Sequence, residues 1–481
     1  MSLTALVNGA VMTMDPERRV IESGTILIED QHISAVGPAG TVELPEGARI
    51  IDAGGMVSLP GLINGHTHAC QSLLRGLASN QDRRVWNWLI NVVHPGLTAY
   101  RPEDITVAAR LYCVEAIRSG MTCFVDNHDA WPDQTLMAGK RVMDVYAEAG
   151  VRAMFGRMMF DQMPDWLWKE TEEAMATDPG VVHADLWHPT DALLNDLEKL
   201  IRAYNGSAGG RIQVWPAPTG VAAASERLMR ASQSLARDNG TMWTIHLVQG
   251  PAAEHGSTSI QWMAGKGLLD SRLLASHCVN VTRNDIALLK AADVRGCTQI
   301  ASNSFLAMGM APVPDLLHAG VTLGMGTDDV NCNGSVNLLS DMKTLALAHR
   351  ILRDDPSALT PEKVLEMATI DGARMVGMER EIGSIEVGKR ADVVLIDLRH
   401  PQMTPAAHLP SAIVFQTYGN EVDTVIIDGK VVMQDRRLTW LTHDKEQALY
   451  RNASERAQAI ARRARIHTDR PWARTRTPTN G

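Results

Sequence analysis

The chain runs to 481 residues, with a formal net charge of -9, 45% hydrophobic and 21% charged residues. That length calls for one large domain beside a smaller one, and the acidic balance excludes the basic surface of a nucleic-acid binder. Six cysteines lie scattered without a C-x-x-C spacing, no basic-then-apolar leader opens the chain, and no run of about 18 apolar residues occurs; the expectation is a cytoplasmic protein with neither disulfide framework nor membrane span.

Residues 5–52 read as β-rich. Leu6–Met12 sets Asn8-Gly9 between apolar stretches, a hairpin signal, and Ile26–Val36 reads as a second hairpin. The apolar run Met56–Ile63 then leads into Gly65-His66-Thr67-His68 as one buried strand. Beyond it helices and strands alternate. Helical patterns stop at Ser119-Gly120, Ala149-Gly150, Asn239-Gly240 and Ala319-Gly320, and strand-like runs follow at Met121–Val125, Val151–Phe155, Thr241–Ile245 and Val321–Met325. Ile212–Trp215, Leu273–Ser276 and Thr298–Ala301 complete a set of eight with the strand before His66. The fold class expected is α/β, a TIM-like (β/α)8 barrel over residues 59–380. A doubly wound sheet fits less well, because no G-x-G-x-x-G follows the early strands. Near the other end, Thr424–Met433 repeats the apolar pattern around Asp428-Gly429. Neither end can bury a sheet alone, so 1–58 and 381–440 are expected to share one small β-sandwich. Residues 441–481 read as a solvated helix, Asp444–Ala464, and a loose tail.

Catalytic groups of such a barrel sit at the C-terminal ends of its strands. His66 and His68 project from one strand end to the same side. His246 ends Met242–Ile245, His277 ends Leu273–Ser276, and Asp328 ends Leu323–Thr327. One such histidine is ordinary core; all of them at strand ends point to a metal. His66, His68, His246 and Asp328 would hold one divalent ion with room for water, which such an ion turns into a nucleophile near neutral pH. Asp328 could take the water's proton, and His277 could bind the metal or steady the attacking oxygen.

The runs P-G-L-I-N-G-H-T-H (Pro60–His68), G-T-D-D-V-N-C-N (Gly326–Asn333), A-T-I-D-G-A-R (Ala368–Arg374) and G-S-I-E-V-G-K-R-A-D-V-V-L-I-D (Gly383–Asp397) resemble the amidohydrolase superfamily. Within it, V-W-P-A-P (Val214–Pro218), M-W-T-I-H (Met242–His246) and F-Q-T-Y-G-N-E-V-D-T-V (Phe415–Val425) are similar to the mononuclear triazine hydrolase branch, whose members remove amino or chloro substituents from nitrogen rings. The resemblance spans roughly residues 5–440. It implies a homo-oligomer acting on a small N-heterocyclic substrate with one Fe(II) or Zn(II), between which spacing does not choose. The binuclear branch bridges its metals with a lysine on the fourth strand, and Ile212–Pro218 has none.

Two local features pull apart. The branch places glutamate three residues after the strand-five histidine; here Gln249 stands there, and it can hydrogen-bond but cannot donate the same proton. Glu254, Asp329 or His277 could replace it, or a chloride leaving group could dispense with the proton. Asp329 and Cys332, by contrast, resemble the deaminating version of the branch, with Asp329 able to assist an exocyclic amine. By resemblance Trp88 would stack on the ring, and Asn127, beside Asp126, could bond substrate. Three functions follow: a triazine aminohydrolase or chlorohydrolase, a purine or pyrimidine deaminase of the guanine type, or an inactive metal-binding relative.

Overall fold

The computed structural model describes residues 2–77, 88–129, 132–163, 169, 188–248 and 258–466. The first strands are β1 (Leu3–Met12), β2 (Val20–Glu29), β3 (His32–Pro38), β4 (Arg49–Asp52) and β5 (Met56–Pro60). Then come β6 (Leu62–Thr67), β7 (Met121–His128), β8 (Arg152–Met159), β9 (Ile212–Pro218), β10 (Trp243–Leu247), β11 (Leu273–His277), β12 (Arg295–Thr298) and β13 (Leu323–Met325). The chain closes with β14 (Val393–Asp397), β15 (Val422–Ile427), β16 (Lys430–Gln434), β17 (Arg437–Leu438) and the helix His443–Arg463.

Both chain ends build one nine-stranded sheet, ordered β17-β16-β15-β14-β5-β1-β2-β3 with β4 beside β1. Its buried side chains include Leu6, Ile26, Ile28, Val393, Leu395 and Ile426. The expected hairpin at Ile26–Val36 is β2–β3, and the one at Asp428-Gly429 joins β15 to β16, with φ of 54° and 75° at the turn. Asn8-Gly9 is not a turn. β1 runs through it, pairs along its length with β2, and takes up register shifts on either side of Gly9. Asn8 adopts φ 68°, and a Cβ on Gly9 would meet Ala53 at 2.7 Å. The dipeptide serves a bulge beneath a neighbouring segment, where its tolerance of positive φ is equally useful.

The eight middle strands form two four-stranded parallel sheets, β6-β7-β8-β9 and β10-β11-β12-β13. Single parallel bridges link them at both edges, Thr67 with Asp328 and Gly220 with His246. Ile63, Cys123, Met154, Trp215, Leu274 and Cys297, drawn from both sheets, share one buried cluster. Helices such as Pro102–Arg118 and Glu226–Asp238 pack outside. The expected glycine stops hold: Gly120, Gly150, Gly240 and Gly320 follow helix ends with φ of 82°, 80°, 68° and 78°.

Two strand expectations need correction. Met56–Ile63 is not one strand: β5 pairs with β14 in the terminal sheet and β6 with β7 in the parallel one. The break is Gly61, where any Cβ would strike Thr122 at 2.1 Å. Thr298–Ala301 is likewise not a strand, because β12 ends at Thr298 and Ile300–Phe305 is a helix. An apolar run this short fits either state, and tertiary context chose.

A buried ionic cluster ties the sheets together. Arg152 on β8 reaches Asp392 at 3.0 Å and Asp428 at 3.3 Å, and Arg211 and Arg390 also reach Asp428, at 3.3 and 2.6 Å. The helix His443–Arg463 falls where a C-terminal helix was expected but is not simply solvated, since Leu449, Ala453 and Ile460 are buried and Arg456 and Arg463 anchor it on Asp104. Among the described residues no helix is long and apolar enough to cross a membrane. The tail expected beyond Arg470 lies outside the described residues.

Candidate metal centre

The strand ends of β6, β10, β11 and β13 bring His66, His68, His246, His277 and Asp328 together. His66 and His277 are fully buried, Asp328 and His68 nearly so, and His246 partly. Nε2 of His68 lies 3.3 Å from Nε2 of His246. Asp328 Oδ1 lies 3.3 Å from Nε2 of His66 and 3.4 Å from Nε2 of His68. His277 stands further out, its Nε2 at 3.9 Å from Asp328 Oδ2.

The outer nitrogens are tied down. Nδ1 of His68 donates to the Asn127 carbonyl at 2.7 Å, Nδ1 of His246 to the Thr219 carbonyl at 2.8 Å, and Nδ1 of His277 to Asn303 Oδ1 at 2.9 Å. A neutral imidazole that donates through Nδ1 offers a bare lone pair at Nε2. His66 Nδ1 meets the Asn127 amide at 2.7 Å and the Ser276 hydroxyl at 3.0 Å. Its Nε2 and that of His277 have no hydrogen-bond partner although buried.

These donors fit a divalent cation. Nε2 of His68 and Nε2 of His246, 3.3 Å apart, need a shared proton or a cation between them. Ligands about 2.0–2.1 Å from a tetrahedral ion stand about 3.3–3.4 Å apart, the spacing found between His68 and His246 and between Asp328 and each of His66 and His68. His66, His68 and His246 form one group competent to hold a metal, and His66, His277 and Asp328 another.

Electrostatics agree. Burial pulls His66 down to about 4, against the opposing pull of Asp328. Burial also acts on His68, but the Asp328 carboxylate outweighs it and raises that ring to about 9. Burial and neighbouring imidazoles keep His246 well below its usual value, and burial lowers His277. Asp328 is buried too, yet the surrounding imidazoles hold it well below the usual carboxylate range. A single carboxylate thus keeps one positive charge inside a basket of imidazoles, the charge that a cation would replace.

The backbone is strained where these groups emerge. Val248, His277, Cys278 and Asp328 have φ of 53°, 71°, 49° and 60°, values that non-glycine residues adopt at a cost. Asn64 stitches the edge between β6 and β13. Its Nδ2 donates to Thr327 Oγ1 at 2.8 Å, and its Oδ1 accepts from Thr327 N at 3.1 Å and His66 N at 3.2 Å.

The other expected site residues fall around the cluster. Asp329 Oδ1 accepts from the backbone N–H of Asn331 and Cys332, both at 3.0 Å, and Oδ2 accepts from the Cys332 thiol at 3.1 Å. Burial, then the charge of Asp328, push Asp329 up to about 7. Burial and Asp329 hold the Cys332 thiol well above its usual value. Trp88 is buried, and turning the Asn331 amide over lets its oxygen accept from Trp88 Nε1 at 3.2 Å. The Asn127 side chain is engaged with His66. Asp126 accepts from Ala69 N at 2.9 Å and the Tyr146 hydroxyl at 2.7 Å, so it serves the neighbouring segment. Gln249 and Glu254 lie outside the described residues. Sequence reasoning did not find Asn64, Ser276, Ser302 or Asn303; the Asn64 contacts cross from β6 to β13, which the linear chain does not reveal.

The amidohydrolase family model matches residues 57–432. The chain belongs to the amidohydrolase family. It is 42% identical to an S-triazine hydrolase of Gordonia rubripertincta over 98% of this chain and 99% of that protein. It is 33% identical to a 5'-deoxyadenosine deaminase of Methanosarcina mazei over 95% of this chain and 98% of that one. Among solved structures, an adenosine deaminase from Xanthomonas campestris with bound zinc superposes with a TM-score of 0.83 at 26% identity, covering 95% of this chain and 98% of that one. Atrazine chlorohydrolase TrzN from Arthrobacter aurescens TC1 shares the fold, with a TM-score of 0.85 at 24% identity over 94% of this chain and 100% of that one.

Proposed function

We propose that the chain is a metal-dependent hydrolase that removes an amino or chloro substituent from an N-heteroaromatic ring, with an s-triazine as the first candidate. The observation that carries this reading is the convergence of imidazoles and one carboxylate at these strand ends, with His68 Nε2 3.3 Å from His246 Nε2 and Asp328 Oδ1 3.3 and 3.4 Å from His66 and His68. The 42% identity to an S-triazine hydrolase supports the ring. The zinc of the Xanthomonas relative favours Zn(II) over Fe(II) as the ion.

One divalent ion held by His66, His68, His246 and Asp328, with His277 at its edge, would lower the pKa of water to near neutrality. Asp328 accepts the proton released by the attacking water and passes it on. His277, fixed by Asn303, steadies the attacking oxygen through Nε2. Trp88 presents a flat apolar face to the ring, and Asn127 holds both His66 and His68. Asp329 hydrogen-bonds the exocyclic nitrogen, which leaves as an amine once protonated. Gln249 donates a hydrogen bond to the ring where a glutamate would donate a proton.

The two parallel sheets close as a (β/α)8 barrel over 59–380, and the terminal sheet folds over its own core as a sandwich from 1–58 and 381–440, followed by 441–481. We further infer a cytoplasmic homo-oligomer, a state inferred by family resemblance.

The test is turnover by purified, Zn(II)- or Fe(II)-loaded protein on a panel of amino- and chloro-s-triazines, guanine and 5'-deoxyadenosine. Hydrolysis of an amino- or chloro-triazine is the expected result. Activity confined to the purines favours the second reading, a purine deaminase, which the 33% identity to a 5'-deoxyadenosine deaminase supports. No turnover of any ring by a protein that retains its metal would refute both.

A further inference from the structure

The helix Ile300–Phe305 contributes no candidate ligand, yet it and the residue before it touch two of them. Ser302 Oγ donates to Asp328 Oδ2 at 2.6 Å. Asn303 Oδ1 accepts from Nδ1 of His277 at 2.9 Å, and Gln299 Oε1 accepts from the backbone N–H of the same histidine at 2.8 Å. Gln299, Ser302 and Asn303 are all buried.

These contacts break a symmetry. A carboxylate has two equivalent oxygens and a broad terminal torsion. Ser302 occupies Oδ2, so Oδ1 is the oxygen left facing His66 and His68 at 3.3 and 3.4 Å. An imidazole likewise has two tautomers, and which nitrogen is bare depends on what the other one meets. The Asn303 oxygen holds the proton on Nδ1 of His277 and leaves Nε2, otherwise unpartnered, as the acceptor. Gln299 takes up the amide of a residue whose φ of 71° is costly.

We propose that Ser302 and Asn303, backed by Gln299, are positioning residues that pre-set Asp328 and His277 for a divalent cation. One short helix thereby couples two strand ends, and a change in its seating moves both donors together. This inference rests on the metal-dependent reading above.

The test titrates metal-stripped full-length protein with Co(II), reading its visible absorption spectrum and its affinity by chelator competition. Removing an outer partner of a metal ligand costs roughly 10–100-fold in affinity. Ser302→Ala is expected to lose affinity on that scale and to change the Co(II) spectrum, both read by titrating metal-free protein that circular dichroism shows to be folded. Ser302→Thr, which keeps the hydroxyl, restores both. Asn303→Leu loses affinity, whereas Asn303→Asp, still an acceptor for Nδ1–H, retains it. Ser302→Ala and Asn303→Leu proteins that bind Co(II) with wild-type affinity and spectrum overturn the inference. Should Ser302→Ala not fold, the contrast between Asn303→Leu and Asn303→Asp decides: equal Co(II) affinity in the two overturns the inference, and a loss confined to Asn303→Leu supports it. Wild-type protein that takes up no Co(II) overturns the metal reading itself and this inference with it.

Discussion

Asn64→Ala tests whether the edge between β6 and β13 is held by one side chain. Asn64 is fully buried, and its Oδ1 is the acceptor for two backbone donors, Thr327 N and His66 N. Alanine leaves both N–H groups in a place that water does not reach. Each buried donor left unpaired costs about 1–3 kcal/mol, so the loss is about 2–6 kcal/mol. The two sides of this edge carry His66 and Asp328, so a cation bound to both would recover part of the loss by mass action. Hydrogen exchange gives the local reading. A loss of about 1.4 kcal/mol is a tenfold change in an equilibrium, so the amides of His66 and Thr327 should exchange at least about tenfold faster in the metal-free variant. Urea unfolding gives the global reading, and added Zn(II) should narrow the gap to wild type. If protection at both amides is unchanged and stability falls by less than about 0.5 kcal/mol, the edge is held by the strand backbones and the account of Asn64 is wrong.

Three further outcomes follow from buried polar groups. Arg152→Met leaves the buried Asp392 carboxylate without its guanidinium, while Asp428 keeps Arg211 and Arg390, and should destabilise by about 3–5 kcal/mol in urea; a loss under about 1 kcal/mol would contradict it. His349 is fully buried with both ring nitrogens unpartnered, and burial followed by Arg353 lowers it to about 4. The folded chain therefore binds fewer protons at this ring than the unfolded chain between about 4 and the ordinary value of 6.5. Stability from this site is full above that window and falls as pH drops through it. His349→Leu should flatten the dependence and add about 1–3 kcal/mol at neutral pH, as read from unfolding curves at about pH 4.5, 6 and 8. All six cysteines are free and buried, and burial with Asp329 raises the Cys332 thiol. A thiol reagent at neutral pH should label none of them in folded protein until denaturant is added, and rapid native labelling of Cys332 would show that it is open to solvent.

Much of this protein was legible in its sequence because local chemistry and strand geometry write it there. Glycine must follow the helices at Gly120, Gly150, Gly240 and Gly320, where φ is positive. An H-x-H pair at the end of an apolar run must point both rings one way. Histidines and an aspartate at the ends of β6, β10, β11 and β13 were expected from the sequence, and the structure sets them in two overlapping groups that share His66. Tertiary structure decided the rest. Asn8-Gly9 suits a turn or a bulge equally, and only the strand beside it selects the bulge. The apolar run Met56–Ile63 belongs to two sheets and changes from one to the other at Gly61, where Thr122 leaves no room for a side chain. Whether Thr298–Ala301 is strand or helix was settled by where β12 ends, and that choice put Ser302 and Asn303 against Asp328 and His277. Side-chain periodicity is a property of neighbours in the chain and can be read along it. The partners of a carboxylate or an imidazole nitrogen are neighbours in space, fixed only when distant segments pack and leave each buried donor one acceptor to reach.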